Sequence, residues 1–176
     1  MTKNAKTFLS VIKIALPLTA TLLWLGFIFG NSLQTGTESG ETSGRVHTLI
    51  NALPELLGLG SPISHHFVRK AAHFTEFAIL AALVCTDLCC LQATSLSSPI
   101  RRSLPILSLS FPTCITAATA DEIIQNFSEG RGPSAIDVII DSSGALFATI
   151  LFVIIFYIIR TLRNKYVMNN TIRAYR

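Results

Sequence analysis

The sequence has few charged residues for its length. Only 14% of its 176 residues are Asp, Glu, Lys or Arg, whereas 50% are hydrophobic. Soluble domains carry about 25% charged residues, so this composition excludes an ordinary soluble domain. Its four cysteines form no CxxC pair. The sequence therefore indicates neither a disulfide framework nor a zinc ribbon.

Two further absences narrow the class of function. Aromatic residues make up 9% of the chain and do not interleave with the basic residues, although the net charge is +4. A nucleic-acid stacking platform needs that pattern, so we expect no nucleic-acid partner. The chain also shows no inverted repeat, which disfavours a complete secondary transporter. The excess of basic charge is instead expected to contact anionic lipid.

Four apolar stretches come close to the roughly 20 residues needed to cross a hydrocarbon core about 30 Å thick. They occupy residues 8–30, 71–91, 103–127 and 136–159. The third is the weakest, because it holds Pro105 and Pro112 and reaches full length only by including Asp121 and Glu122. We predict an all-α membrane protein with one domain over residues 1–176. Its four transmembrane helices are followed by a basic tail at residues 160–176.

Basic residues mark one side of the predicted bundle. They are Lys3, Lys6, Arg101, Arg102, Arg160, Arg163, Lys165, Arg173 and Arg176. Cytoplasmic loops carry an excess of Lys and Arg, so we predict that both termini are cytoplasmic. The acidic residues fall on the opposite, outer side or in the adjacent halves of the helices, with Asp87 as the exception.

The loop between the first two predicted transmembrane helices has two parts. The segment NSLQTGTESGETSGR, residues 31–45, is rich in Gly, Ser and Thr and predicts a flexible loop. Ser61 and Pro62 predict the start of the next helix. The intervening segment VHTLINALPELLGLG predicts a short amphipathic helix, which lies in the membrane interface or packs on the bundle as a lid. The apolar face of this helix is formed by Val46, Leu49, Ile50 and Leu53.

The segment VRKAAHFTEF, residues 68–77, places charges within an apolar helix. Arg69, His73 and Glu76 lie at i, i+4 and i+7 and therefore share one stripe, with Lys70 beside it. A charged side chain at the centre of a membrane helix costs about 2.5 to 3.5 kcal/mol on insertion scales. We therefore expect these side chains to face one another or a wet cavity.

The segment DEIIQNFSEGRGPSAIDVIID repeats this pattern further along the chain. Asp121 and Gln125 share a helix face with Glu122 on its flank, and a turn rich in Gly and Pro presents Arg131. The helix that follows carries one stripe formed by Asp137, Asp141, Gly144 and Ala148. Acids inside a membrane need partners, and the chain offers Arg69, Lys70, His73 and Arg131.

These side chains are suited to several kinds of chemistry. The candidate general acids and bases are His73, Glu76, Asp121 and Glu122. The candidate ligand-binding residues, able to hold a phosphate or carboxylate, are Arg69, Lys70, Gln125, Arg131, Asp137 and Asp141. Neither Ser128 nor Ser134 is marked by spacing as an activated nucleophile. Whether the protein is an enzyme therefore stays open.

Three alternatives accompany a ligand-binding site. His65, His66, His73 and Glu76 lie within twelve residues, but their spacing fits no HExxH pattern, so we expect no metal and no other cofactor. Intramembrane acids and histidines can relay protons, which is typical of transport. The third alternative is a set of ion pairs that only holds the bundle together.

At these residues the chain resembles the VanZ-like family of bacterial membrane proteins. The matching segments are RKAAHFTEF, DEIIQNFSEGRG, DVIIDSSGALFA and, more loosely, GNSLQTGTESGETSG. The resemblance implies a four-helix bundle in the bacterial cytoplasmic membrane and a link to tolerance of teicoplanin-type glycopeptide antibiotics. The family pattern falls on Arg69, Lys70, His73, Glu76, Asp121, Glu122, Gln125, Arg131, Asp137 and Gly144, while Asp141 stands where Asn is common.

The resemblance and the charged segments together lead to one expectation of function. We expect a cell-envelope protein whose outward-facing polar site binds or shields a lipid-linked cell-wall precursor. Its partners would be the lipid bilayer and that precursor. The alternatives are a membrane enzyme acting on a lipid-linked phosphate, and membrane transport coupled to protons or metal.

Overall fold

The computed structural model describes residues 3–59, 63–93 and 107–174, and this part of the chain is helical. Its five helices are α1 Lys3–Ser32, α2 Gly36–Leu56, α3 His65–Ala93, α4 Ser110–Gln125 and α5 Ala135–Ala174. The prediction of an all-α fold is therefore confirmed. Some predictions fall outside these residues or on undescribed side chains, namely those at Lys3, Lys6, Ser61, Pro62, Arg101, Arg102, Pro105, Arg173 and Arg176.

Three of the helices are long and apolar enough to cross a membrane. The qualifying segments are Val11–Ser32, His65–Leu91 and Ala135–Tyr166, with mean hydropathies of 1.9, 1.9 and 2.4. They coincide with the first, second and fourth predicted transmembrane helices. Many of their large apolar side chains are exposed, as expected for helices that contact lipid. The α3 helix begins at His65, where the Phe67 N–H donates to Ser64 Oγ at 3.2 Å.

The third predicted span is shorter in the part that the structure describes. The α4 helix has 16 residues, or about 24 Å at 1.5 Å per residue. That length falls short of the hydrocarbon thickness of about 30 Å. Residues 103–106, which begin the predicted span, lie outside the described residues. A fourth transmembrane helix therefore stays a prediction.

The last helix continues through the segment predicted as a basic tail. The α5 helix has 40 residues, or about 60 Å at 1.5 Å per residue. This is about twice the thickness of the hydrocarbon core, so α5 must project beyond it. The described tail residues, as far as Ala174, are helical.

The prediction of a flexible loop over residues 31–45 is wrong, because α2 already begins at Gly36. Thr35 and Glu38 form a capping box. The Glu38 N–H donates to Thr35 Oγ1 at 3.3 Å, and the Thr35 N–H donates to Glu38 Oε2 at 2.9 Å. Hydrogen bonds from the Thr35 backbone and side chain lower the pKa of Glu38. The polar residues that predicted a loop form a helix start instead.

We expect Thr35→Ala to fray the first turn of α2, because the Glu38 N–H loses its acceptor. Loss of such a cap costs about 1 kcal/mol. Amide hydrogen exchange of residues 36–40 in detergent would measure the fraying of this turn. Thr48→Ala is the control, because Thr48 Oγ1 only donates back to the Gly44 carbonyl within the same helix. Because the pKa of Glu38 is lowered, the cap is complete above the usual Glu range and is lost as pH falls through that lowered pKa. Equal exchange in both variants would contradict the cap.

The second half of α2 carries the predicted apolar face. Leu49 and Leu53 are 76% and 64% exposed, so this face does not pack on the described bundle. The interfacial helix is thereby favoured over the lid. On the opposite face, Asn51 is buried and exchanges hydrogen bonds with the Ile63 backbone at 3.2 and 3.0 Å. These bonds hold α2 against the start of α3.

The hydrophobic core lies where α3 packs against α1, α4 and α5. Its buried members are Ile28, Phe77, Leu80, Ala81, Cys114, Ala118, Ala145 and Ala148. The most extensive helix contact is between α3 and α5. At Gly144 a Cβ atom would collide with the backbone of Phe74. Small residues on α5 therefore allow the two helices to approach closely, as expected for membrane helices.

Candidate functional site

The helix ends bring the two charged segments together at one end of the bundle. Ser32 at the end of α1 donates from Oγ to Asp121 Oδ1 near the end of α4, at 2.5 Å. Lys70 near the start of α3 pairs with Asp137 near the start of α5. The ends of α1 and α4 therefore meet the beginnings of α3 and α5. We call this region, formed by residues 31–35, 65–76 and 121–141, the polar end.

A tight turn between α4 and α5 closes the polar end, as predicted. Gly130 has φ of +72°, a value that glycine adopts readily. The Gly36 N–H donates to the Glu129 carbonyl at 2.9 Å. A Cβ atom on Gly36 would lie 2.6 Å from the Gly130 carbonyl oxygen. The start of α2 is thus held directly against the turn that carries Arg131.

The polar residues of α4 form a buried hydrogen-bond network. Gln125 Nε2 donates to Asp121 Oδ2 at 2.9 Å and to Glu122 Oε1 at 3.2 Å. The Ser134 N–H donates to Glu122 Oε2 at 2.6 Å, which ties α4 to the start of α5. The sequence placed Glu122 on a flank of the helix, but the structure buries it with Asp121 and Gln125.

His73 meets acids from two other helices. Its Nδ1 lies 3.3 Å from Asp141 Oδ1. Neither atom has an aligned hydrogen-bond partner among the described residues. One potential ligand atom from each of His73, Asp121 and Asp141 lies within 4.8 Å of the other two. An imidazole and two carboxylates therefore share one small volume inside the bundle.

Glu76 is held by α1. Asn31 Nδ2 donates to Glu76 Oε1 at 3.3 Å, and Trp24 Nε1 donates to the Glu76 carbonyl at 2.9 Å. Sequence reasoning missed the contributions of Trp24, Asn31 and Ser32 to this site. The sequence did offer a signal for these contacts in the polar segment GNSLQ, which ends the first span. Polar side chains at the end of a membrane helix face water or a polar partner.

Two guanidinium groups lie near the acids. Arg131 Nη1 donates to the Asn31 carbonyl at 2.9 Å, while its buried Nε has no partner among the described residues. Burial and the neighbouring Arg69 guanidinium lower the pKa of Arg131, against the opposing effect of Asp121 and Glu122. Arginine nevertheless stays protonated. Within the described part of the chain, neither Arg69 nor Arg131 forms an ion pair.

The structure does not assemble the histidine group suggested by spacing along α3. His65 Nε2 lies 3.1 Å from Ser43 Oγ on α2, and both His65 and His66 are exposed. His73 instead faces the bundle interior. Asp87 stands apart from the polar end, as predicted, and accepts a 2.7 Å hydrogen bond from Thr21 Oγ1. The group of potential metal ligands therefore comes from three helices rather than one.

Comparison with known proteins identifies the family. A family model described as VanZ/LLP1 matches residues 18–157, which is well over half of the chain and includes the whole polar end. No curated protein and no solved structure matches the chain significantly. The family is one of membrane proteins linked to glycopeptide resistance, in agreement with the three long apolar helices. The chain thus belongs to the VanZ/LLP1 family, as its charged segments predicted.

Proposed function

We propose that the protein spans the bacterial cytoplasmic membrane four times, with α4 in the third span. Burial of Asp121, Glu122 and Gln125 against other helices supports this topology, since a membrane helix must hide its polar face. The bases after the last span favour a cytoplasmic C-terminus. Both termini are then cytoplasmic, and the polar end faces outward.

The polar end binds or shields a lipid-linked cell-wall precursor by its phosphate groups, and this activity supports tolerance of teicoplanin-type antibiotics. The observation that carries the proposal is the pair formed by Arg69 and Arg131. Each repels the other, and neither has a carboxylate partner in the described residues. A phosphate would accept hydrogen bonds from both guanidinium groups and remove the repulsion.

Other contacts support this site. Lys70 and Asp137 neutralise each other at its edge, so Arg69 and Arg131 are the cations left without an ion pair among its described residues. Arg131 is held by the Asn31 carbonyl, which keeps the guanidinium in place before a ligand arrives. Preorganisation of this kind favours affinity. An outward position next to the membrane surface suits the phosphate of a membrane-bound lipid.

A membrane enzyme acting on a lipid-linked phosphate is the second candidate. His73 with Asp121 and Asp141 offers acid–base chemistry in its support. The hydroxyl groups argue against a serine nucleophile, however. Ser128 Oγ donates to the Ser32 carbonyl at 2.8 Å, and Ser134 Oγ accepts from the Asp137 N–H at 3.3 Å. Neither contact is with a general base, so binding is favoured.

We expect Arg131→Ala to abolish the selective rise in teicoplanin tolerance that the wild type gives a sensitive Gram-positive host. Loss of a hydrogen bond to a charged group costs about 1.5 to 3 kcal/mol, so affinity of the purified protein for a lipid-linked pyrophosphate should fall about 10- to 100-fold. Arg45→Ala, which removes an exposed arginine of α2, is the matched control and should behave as wild type. Vancomycin susceptibility should stay constant throughout.

The same experiment separates binding from catalysis. Glu76→Gln keeps an acceptor for Asn31 Nδ2 but cannot exchange a proton. Retained tolerance with Glu76→Gln supports binding, whereas its loss at normal membrane levels supports acid–base catalysis. If wild type at good expression leaves teicoplanin susceptibility unchanged, the proposed function is wrong.

A further inference from the structure

We propose that His73, Asp121 and Asp141 bind a divalent transition-metal ion within the helix bundle. The proposal goes beyond precursor binding and does not depend on it. One ligand atom from each residue lies within 4.8 Å of the others. Ligands at about 2.0 to 2.2 Å from a zinc ion lie about 3 to 3.5 Å from one another. Small side-chain adjustments would therefore bring all three atoms around one ion.

Buried atoms of His73 and Asp141 lack hydrogen-bond partners among the described residues. Asp141 is 0% exposed, and neither of its carboxylate oxygens accepts a hydrogen bond within the described residues. His73 is 8% exposed, and its Nδ1 is likewise without an aligned partner there. A buried polar atom without a partner is unfavourable, and a buried carboxylate more so. A cation at the common centre would give both His73 and Asp141 a buried partner.

Asp121 is already oriented toward this centre by neighbouring groups. Ser32 Oγ donates to its Oδ1 at 2.5 Å, and Gln125 Nε2 donates to its Oδ2 at 2.9 Å. Each carboxylate oxygen has a second lone pair, so both bonds are compatible with metal binding. Hydrogen bonds of this kind hold the ligands of known metal sites in position.

Charge balance also favours a divalent ion. Asp121 and Asp141 bring two negative charges into the bundle, and Glu76 lies near enough to interact electrostatically with both. Lys70 is engaged by Asp137, and Arg131 forms no ion pair with either acid among the described residues. A doubly charged ion would balance Asp121 and Asp141 without a further protein cation.

The ligand types indicate which metal would bind. One imidazole and two carboxylates suit zinc or manganese, whereas calcium and magnesium prefer oxygen ligands alone. Copper(I) prefers sulfur, and the ligand group contains no cysteine. Three protein ligands would leave a coordination position for water or a bound ligand, as in many catalytic zinc sites.

The test uses the full-length protein, purified in detergent, stripped with a chelator and titrated separately with Zn²⁺ and Mn²⁺. We expect about one equivalent of one of these metals to bind. Asp141→Asn and His73→Gln should each weaken binding by about 100-fold or more, because even second-shell changes cost about 10- to 100-fold. Asp87→Asn is the matched control: it removes an intramembrane carboxylate that pairs with Thr21 and should leave affinity unchanged.

Several results would overturn the proposal. Folded wild type that takes up neither metal would do so, as would equal binding by wild type and Asp141→Asn. If the variants do not insert into the membrane, X-ray absorption spectroscopy of the metal-loaded wild type identifies the metal ligands instead. One imidazole with oxygen ligands supports the site, whereas sulfur ligands would place the metal at cysteines and refute it. If Arg131→Ala still binds the metal but no longer confers teicoplanin tolerance, metal binding and precursor binding are independent properties of two sites.

Discussion

Lys70→Met is expected to lower the free energy of unfolding by about 3 kcal/mol, the lower end of the range for breaking a buried ion pair. Lys70 pairs with Asp137, and their side chains are 21% and 7% exposed. The substitution leaves the Asp137 carboxylate buried without its cation, and this desolvated charge is the source of the loss. Denaturant unfolding in detergent, or the midpoint of thermal unfolding, would measure the effect.

A double substitution provides the decisive comparison. Lys70→Met with Asp137→Leu removes both charges and should recover most of the stability, because an apolar pair can replace a buried ion pair. A residual loss of about 0.3 to 1 kcal/mol is expected, since Asp137 lies in the first turn of α5 and interacts favourably with the helix dipole. Lys165→Met, at an exposed position far along α5, is the control. If the single and double variants are equally unstable, the two residues are not coupled.

Gly144→Ala should destabilise the bundle by about 1 to 3 kcal/mol or more, which is the range for overpacking. A Cβ at this position collides with the backbone of Phe74, which cannot rotate away as a side chain could. The α3 and α5 helices must therefore separate. Because His73 precedes Phe74, the separation should also move His73 away from Asp141 and weaken zinc or manganese binding.

Gly26→Ala is the matched control for this prediction. Gly26 lies within α1, and a Cβ there would contact no other helix of the described residues within 4 Å. Alanine is the better helix former, so Gly26→Ala should stabilise the protein by about 0.5 to 1 kcal/mol. The two variants can be compared by their unfolding midpoints in one detergent. Equal midpoints would show that the contact between Gly144 and Phe74 does not limit helix approach.

Sequence patterns within a single segment predicted those structural features that depend on that segment alone. Apolar length predicted three helices that are long enough to cross a membrane, and residues 130–133 predicted the turn beside Arg131. Local signals failed at residues 36–45, where the reciprocal bonds of Thr35 and Glu38 outweigh the loop preference of Gly, Ser and Thr. Residues 36–45 have the composition of a loop, so only the spacing of the capping pair indicates a helix start there.

The sequence by itself determined the membrane class, the family and the charged segments that meet at the polar end, because hydropathy, helical period and motif order are properties of single segments. Only the tertiary structure decided which side chains meet. His73 lies with Asp121 and Asp141, Lys70 with Asp137, and Glu76 with Asn31. Such pairings depend on the rotation and axial offset of each helix against its neighbours. Those quantities are set by close packing between helices, as at Gly144, and not by any one segment alone.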